Sequence, residues 1–231
     1  MATSTTRRVT LIHGLDPTRP VSCGLHMASL HRDNGLRVDE VFAETDVAVM
    51  HSYPMYTEWA RGPLDPDLVP YSCALAQALC GKPVLMEEWG GCTTAPGEPS
   101  QVWDWEGYGG RPMRQFMASE EDLTAYVEAV LPRLVAVGAT GAMPWCFADV
   151  IPALWERPPY RDWRHERSFG LLRLDGSLKP HAEALRRFAA TKPQIARPPA
   201  IKLDAIDPDD YYRDPVGTLV ARYAHFSAVP G

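Results

Sequence analysis

The stretch Pro83-Val84-Leu85-Met86-Glu87-Glu88-Trp89-Gly90-Gly91 is an apolar run closed by two adjacent carboxylates, an indole and a glycine pair. Val84 to Met86 offers no clean polar face, which is the pattern of a strand buried on both sides in a parallel sheet. A carboxylate at the C-terminal end of such a strand stands at the mouth where barrel enzymes place their chemistry. Alternation does not choose between the two. Glu88 is in phase with Val84 and Met86, and Glu87 with Leu85.

Working outward, three more runs have the same character: Pro20 to His26, Asp46 to Tyr53, and Ala139 to Phe147. They predict strands near 21–26, 46–51, 83–88 and 141–146. Helical patterns lie between and after them, over Val38–Glu44, Val69–Cys80, Ser119–Val137 and Lys179–Ala190. Gly81 ends the second of these. Ser119 followed by Asp122 starts the third as a capping box does, and Pro132 should kink it. Four βα units with right-handed crossovers give half of a barrel or a small open α/β sheet. The segments 90–118 and 148–178 read as long loops at strand C-terminal ends. Both are rich in aromatics: Trp103, Trp105, Tyr108, Trp155, Tyr160 and Trp163. The chain divides into a domain over 1–192 and, over 193–231, a Pro-rich linker with a C-terminal appendage.

The 231 residues, 45% hydrophobic and 23% charged, suffice for one domain with a core but fall short of the roughly 250 of a complete (β/α)8 barrel. A net charge of −6 without a basic stripe argues against a nucleic-acid partner. No apolar run approaches a membrane span. The opening MATSTTRRVTLIHG has no small-residue cleavage site after its short apolar run, so a cytoplasmic location is expected. Five cysteines at irregular spacings read as free thiols. No HExxH-like or Asp/His spacing suggests a metal site, and no cofactor is called for.

Several residues could carry chemistry. Glu87 or Glu88 could attack an anomeric carbon or act as a base, and the ordinary alternative is a solvated strand end. His51 and Tyr53 share a strand face and could hold a carboxylate ionised and aimed, or merely satisfy each other in a core. Trp145 ends the fourth run with a flat apolar face on which sugar CH groups can stack. His26, Asp149 and the pair His165-Glu166 could line the same cleft or serve the surface. A phosphate-binding barrel would need a Gly-rich loop after a late strand, whereas Gly138 and Gly141 flank a strand start.

In this order the motifs resemble the second half of the retaining (β/α)8 glycosidases that include glycoside hydrolase family 5, the cellulases and β-mannanases. His51-Ser52-Tyr53 matches the family's sixth-strand His-x-Tyr. Glu88-Trp89-Gly90 matches its seventh-strand Glu-aromatic-Gly, and Trp145 its eighth-strand Trp. Phe169-Gly170-Leu171-Leu172, Asp175-Gly176 and Lys179-Pro180 resemble the approach to the last helix. The likeness spans roughly residues 16–190. It implies the last four βα units of a TIM barrel, a β-linked oligo- or polysaccharide substrate, and Glu88 rather than Glu87 as nucleophile. Tyr53 and His51 would support it, and Trp145, Trp89, His26 and Asp149 would contact substrate. The family's acid/base follows an Asn on the fourth strand, and this chain holds no Asn-Glu pair. A half-barrel so equipped is expected to hydrolyse glycosides poorly alone and to pair with itself or with a missing N-terminal half. Its alternative is a non-catalytic carbohydrate-binding or assembly module.

Overall fold

The computed structural model describes residues 4–228. In chain order the elements are α1 (Ser4–Leu15), α2 (Ala28–His31), α3 (Val38–Phe42), β1 (Ala48–His51), α4 (Leu68–Cys80), β2 (Val84–Trp89), β3 (Gln101–Glu106), β4 (Pro112–Met117), α5 (Glu120–Ala136), β5 (Gly141–Pro144), α6 (Pro180–Ala190), α7 (Pro208–Tyr211) and α8 (Pro215–Ala224). Strands β1, β2 and β5 form a parallel sheet in that order. Ala48, Val49 and Met50 are all buried, so β1 is covered on both faces, as an apolar parallel strand must be.

The first expected strand is corrected. Val21–His26 runs alongside β1, but it pairs with it at a single bridge, His26 to His51, with one further backbone bond from the Asp46 N–H to the Val21 carbonyl at 3.0 Å. Side chains take the bonds that a longer ladder would use. The Asp46 carboxylate accepts from the Val21 N–H at 2.7 Å, and the Ser22 hydroxyl donates to the Val47 carbonyl at 2.7 Å. The sheet therefore has three strands, with β5 as its last, and does not close.

The helices follow from their apolar patterns. Every residue of α4 except Gln77, Ala78 and Cys80 is buried, and a helix apolar all round needs cover on both sides. The sheet covers one side. The C-terminal tail covers the other, with the Tyr71 ring against Tyr223 and Phe226 and its hydroxyl donating to the Leu219 carbonyl at 2.8 Å. Tyr211, Leu219, Tyr223, Phe226 and Ala228 lie in the same core cluster as the sheet and α4. Residues 1–3 of the N-terminal stretch and 229–231 of the appendage lie outside the described residues.

Gly81 ends α4 in the left-handed region at φ 67°, its N–H on the Gln77 carbonyl. At the start of α5, the Ser119 hydroxyl accepts from the Asp122 N–H at 3.0 Å. That helix continues through Pro132 to Ala136 and packs on α6.

The segment 90–118, expected as a loop, contains an antiparallel hairpin of β3 and β4. Trp103 and Trp105 are half-buried between exposed Val102, Asp104 and Glu106, which is strand alternation. Gly109 and Gly110 at φ 69° and 75° turn the chain back. No helix among the described residues is long and apolar enough to cross a membrane. All five cysteines are free.

Candidate functional site

The two carboxylates end β2 at an irregularity in its pairing. Met50 is opposite Met86, but the next residue, His51, is opposite Glu88, so Glu87 is extra. Such a bulge re-aims side chains. Here it brings Glu87 and Glu88 both to the His51 imidazole and sends Trp89 to the buried side with Val84 and Met86. His51 Nε2 lies 2.9 Å from Glu87 Oε2, and His51 Nδ1 lies 3.5 Å from Glu88 Oε1. Gly24 leaves room for this pair, since a Cβ there would lie 3.2 Å from His51 Cε1 and 3.3 Å from Glu87 Oε2. The Tyr53 hydroxyl donates to Glu88 Oε2 at 3.1 Å. Burial and then the charge of Glu88 hold that hydroxyl far above the usual phenol range. Tyr53 is thus a donor at neutral pH.

The next strand brings an indole to the same place. The Trp145 backbone N–H donates to the Trp89 carbonyl at 2.8 Å. Gly90, at φ 146°, permits this approach, because a Cβ there would stand 2.9 Å from the Trp145 carbonyl oxygen. The Trp145 side chain remains 43% exposed.

A further carboxylate arrives from the loop after β5. The Tyr56 hydroxyl donates to Glu166 Oε1 at 3.2 Å, and the Trp145 side chain lies close enough to the same group to lower its pKa. The Tyr56 and Tyr53 rings are 5.6 Å apart, so neighbouring tyrosines each hold one carboxylate. Burial raises the Glu166 pKa above the usual carboxylate range and the charge of Glu88 raises it further, while Tyr56 and Trp145 offset part of this. His165, buried and 2.8 Å from the Tyr56 hydroxyl, is pushed down to about 4 by burial and is neutral at pH 7.

Of the residues singled out in the sequence, His51, Tyr53, Glu87, Glu88, Trp145 and the pair His165-Glu166 come together here. His26 is exposed beside His51, its Nδ1 accepting from the Ala28 N–H at 3.1 Å. Two expectations are corrected. Trp89 is 0% exposed and packs against Tyr126, so its indole cannot meet a sugar. Asp149 accepts from Lys179 Nζ at 2.7 Å and from the Gly170 N–H at 2.8 Å. It lines a separate cavity of about 840 Å³, with Trp103 and Trp155, which does not include Glu88. Sequence reasoning passed over Tyr56. The available signal was Pro54, which opens a 3-10 turn over Pro54–Tyr56 and, at three residues per turn, returns Tyr56 to the side of Tyr53.

No protein-family model matches the chain, and no curated protein matches it. Solved structures do. An exo-β-1,4-mannosidase from Opitutaceae bacterium strain TAV5 is similar at 25% identity and a TM-score of 0.60, over 81% of this chain and 31% of that one. A GH5_18 variant from Streptomyces cattleya in complex with Manβ1-4GlcNAc is similar at 18% identity and a TM-score of 0.68, over 95% of this chain and 51% of that one. A β-glucuronidase from Bifidobacterium dentium is similar at 24% identity and a TM-score of 0.50, over 79% and 26%. This chain therefore spans between about a quarter and a half of these solved chains. Its parallel α/β core has the fold of a portion of glycoside hydrolase structures.

Proposed function

We propose that the chain carries the nucleophile side of a glycoside hydrolase cleft, built as the C-terminal part of a (β/α)8 barrel and acting on β-linked mannosides with retention of configuration. The observation that carries this is Glu88 at the C-terminal end of β2, held by the Tyr53 hydroxyl at 3.1 Å and beside His51 at 3.5 Å, at the cleft that Trp145 borders. Glu88 attacks the anomeric carbon and forms a glycosyl ester that water then hydrolyses. Tyr53, which stays protonated, donates to the carboxylate and keeps it aimed. His51 ties Glu88 to Glu87 and fixes both. The half-exposed Trp145 indole offers its face to the sugar. The β-mannoside preference rests on what the similar structures are named for. In this reading the open edge beyond β5, where Met143 is 49% and Phe147 77% exposed, is where further barrel strands or a second copy pack.

The test is initial-rate hydrolysis of 2,4-dinitrophenyl β-D-mannoside by the chain and by Glu88→Gln. The expected result is measurable turnover that falls at least about 10³-fold in the variant, as removal of a nucleophile does. Equal rates would contradict the assignment. A chain that binds mannosides but never turns them over would be the non-catalytic module instead.

A further inference from the structure

The family likeness leaves this chain without its usual proton donor, because no Asn-Glu pair is present. The structure places another carboxyl group in the same cleft. Glu166 enters from the loop after β5, is held by the Tyr56 hydroxyl at 3.2 Å and lies beside the Trp145 side chain. Its side chain keeps 29% exposure, so a ligand can reach it. Tyr53, on Glu88, and Tyr56, on Glu166, are in ring contact. Trp145 adjoins both groups, since its backbone N–H bonds the Trp89 carbonyl, next to Glu88, and its side chain lies beside Glu166.

We propose that Glu166 is the proton donor to the departing glycosidic oxygen in this cleft, a role that rests on the glycosidase reading of Glu88 given above. In the first step a Glu88 oxygen bonds the anomeric carbon as the bond from that carbon to the leaving oxygen breaks. The Glu166 proton passes to that oxygen and leaves Glu166 ionised. In the second step water attacks the anomeric carbon, its proton returns to Glu166, and the Glu88 ester bond breaks. Atoms and charge balance as one glycoside plus one water to a free sugar and an alcohol.

The electrostatics agree with this division of labour. The titratable groups facing Glu166 are Tyr56 and Tyr53 after β1, Glu88 on β2, Cys92 beyond it, His165 alongside and Cys146 after β5. None of them is a cation at pH 7, since His165 titrates only near 4. Burial and the Glu88 charge therefore favour the protonated acid. A carboxyl group whose surroundings raise its pKa is suited to serve as the general acid.

The test is a series of aryl β-D-mannosides of rising leaving-group pKa, assayed with the wild-type chain, Glu166→Gln and Glu88→Gln. General acid assistance is worth roughly 10²–10⁴-fold. In kcat/KM, which reports the first step, Glu166→Gln should therefore lose little on the dinitrophenyl substrate and on that order with the poorest leaving groups, while its kcat on the dinitrophenyl substrate falls because the attacking water has lost its base. An unchanged leaving-group dependence would overturn the proposal, and so would an equal loss on every substrate, which would make Glu166 a support of the cleft. In either case an inert Glu88→Gln leaves the nucleophile reading standing. A wild-type chain inert on all substrates, or an active Glu88→Gln, removes that reading and the Glu166 role with it. A second variant, Tyr56→Phe, deletes a donor that lowers the Glu166 pKa. The basic limb of its kcat/KM profile should move to higher pH, and an unmoved limb would contradict the proposal.

Discussion

His51 touches two carboxylates through its two ring nitrogens, and it does so because β2 carries one residue more than β1 at that point. Alternation could not choose between Glu87 and Glu88 for the same reason: a bulge suspends alternation locally. Gly90 shows how tightly this corner is built, since any side chain there would drive into the Trp145 carbonyl. A second residue-scale consequence concerns stability. His181 is buried, and burial, then the neighbouring Lys179 charge, pushes its imidazole down to about 4. An unfolded chain would protonate it near 6.5. Between those values the unfolded state binds a proton that the folded state does not, so stability is full above about pH 6.5 and falls as pH drops toward 4. His165 acts in the same direction. Urea midpoints should therefore decline from pH 7 to 4.5, and less steeply in His181→Gln, by up to about 1.4 kcal/mol per pH unit. Parallel declines in the two proteins would contradict this.

At the scale of elements, the helices that follow the strands were legible, while α1, α2, α7, α8 and the strand lengths were not. The runs that predict α4 and α5 carry their own end signals, Gly81 and Ser119, and the structure uses both. Ser119→Ala should remove the cap on the Asp122 N–H and cost about 1 kcal/mol, read as a lower urea midpoint with an unchanged slope; an unchanged midpoint would mean the cap is idle. Strand length is set by long-range partners that a sequence does not display. The Val21–His26 run looks as strand-like as β1, yet Asp46 and Ser22 claim its bonds. The hairpin of β3 and β4 was hidden differently. Its Val-Trp-Asp-Trp-Glu alternation is plain, but the aromatic content drew attention to ligand contact, whereas Trp105 is tied down by its N–H to the Asp162 carbonyl at 2.8 Å. Of the cleft, the residues on strand ends were readable from motif order. Glu166 was legible only as a loop residue that could line the cleft, and Tyr56 not at all, because loop and turn residues reach the site only through the packing of two separate connections.

At the scale of the whole molecule, the C-terminal tail and the sheet share one core. Tyr223 donates to buried Asp65, and Arg61 stacks on the Tyr223 ring at 4.5 Å while donating to the carbonyls of Tyr223 and Phe226. A chain ended after Lys192 would bare Tyr71 and the apolar outer face of α4. It should lose cooperative thermal unfolding, and a sharp transition in that truncated chain would show that the tail is dispensable. The central claim is that Glu88 is the nucleophile, and covalent capture tests it most directly. The full chain is incubated with 2-deoxy-2-fluoro-β-D-mannosyl fluoride, whose leaving group needs no proton donor, and then mapped by peptide mass spectrometry. The account predicts one added fluorosugar on Glu88; label on Glu87 or Glu166, or no label at all under conditions that turn over aryl mannosides, would contradict it.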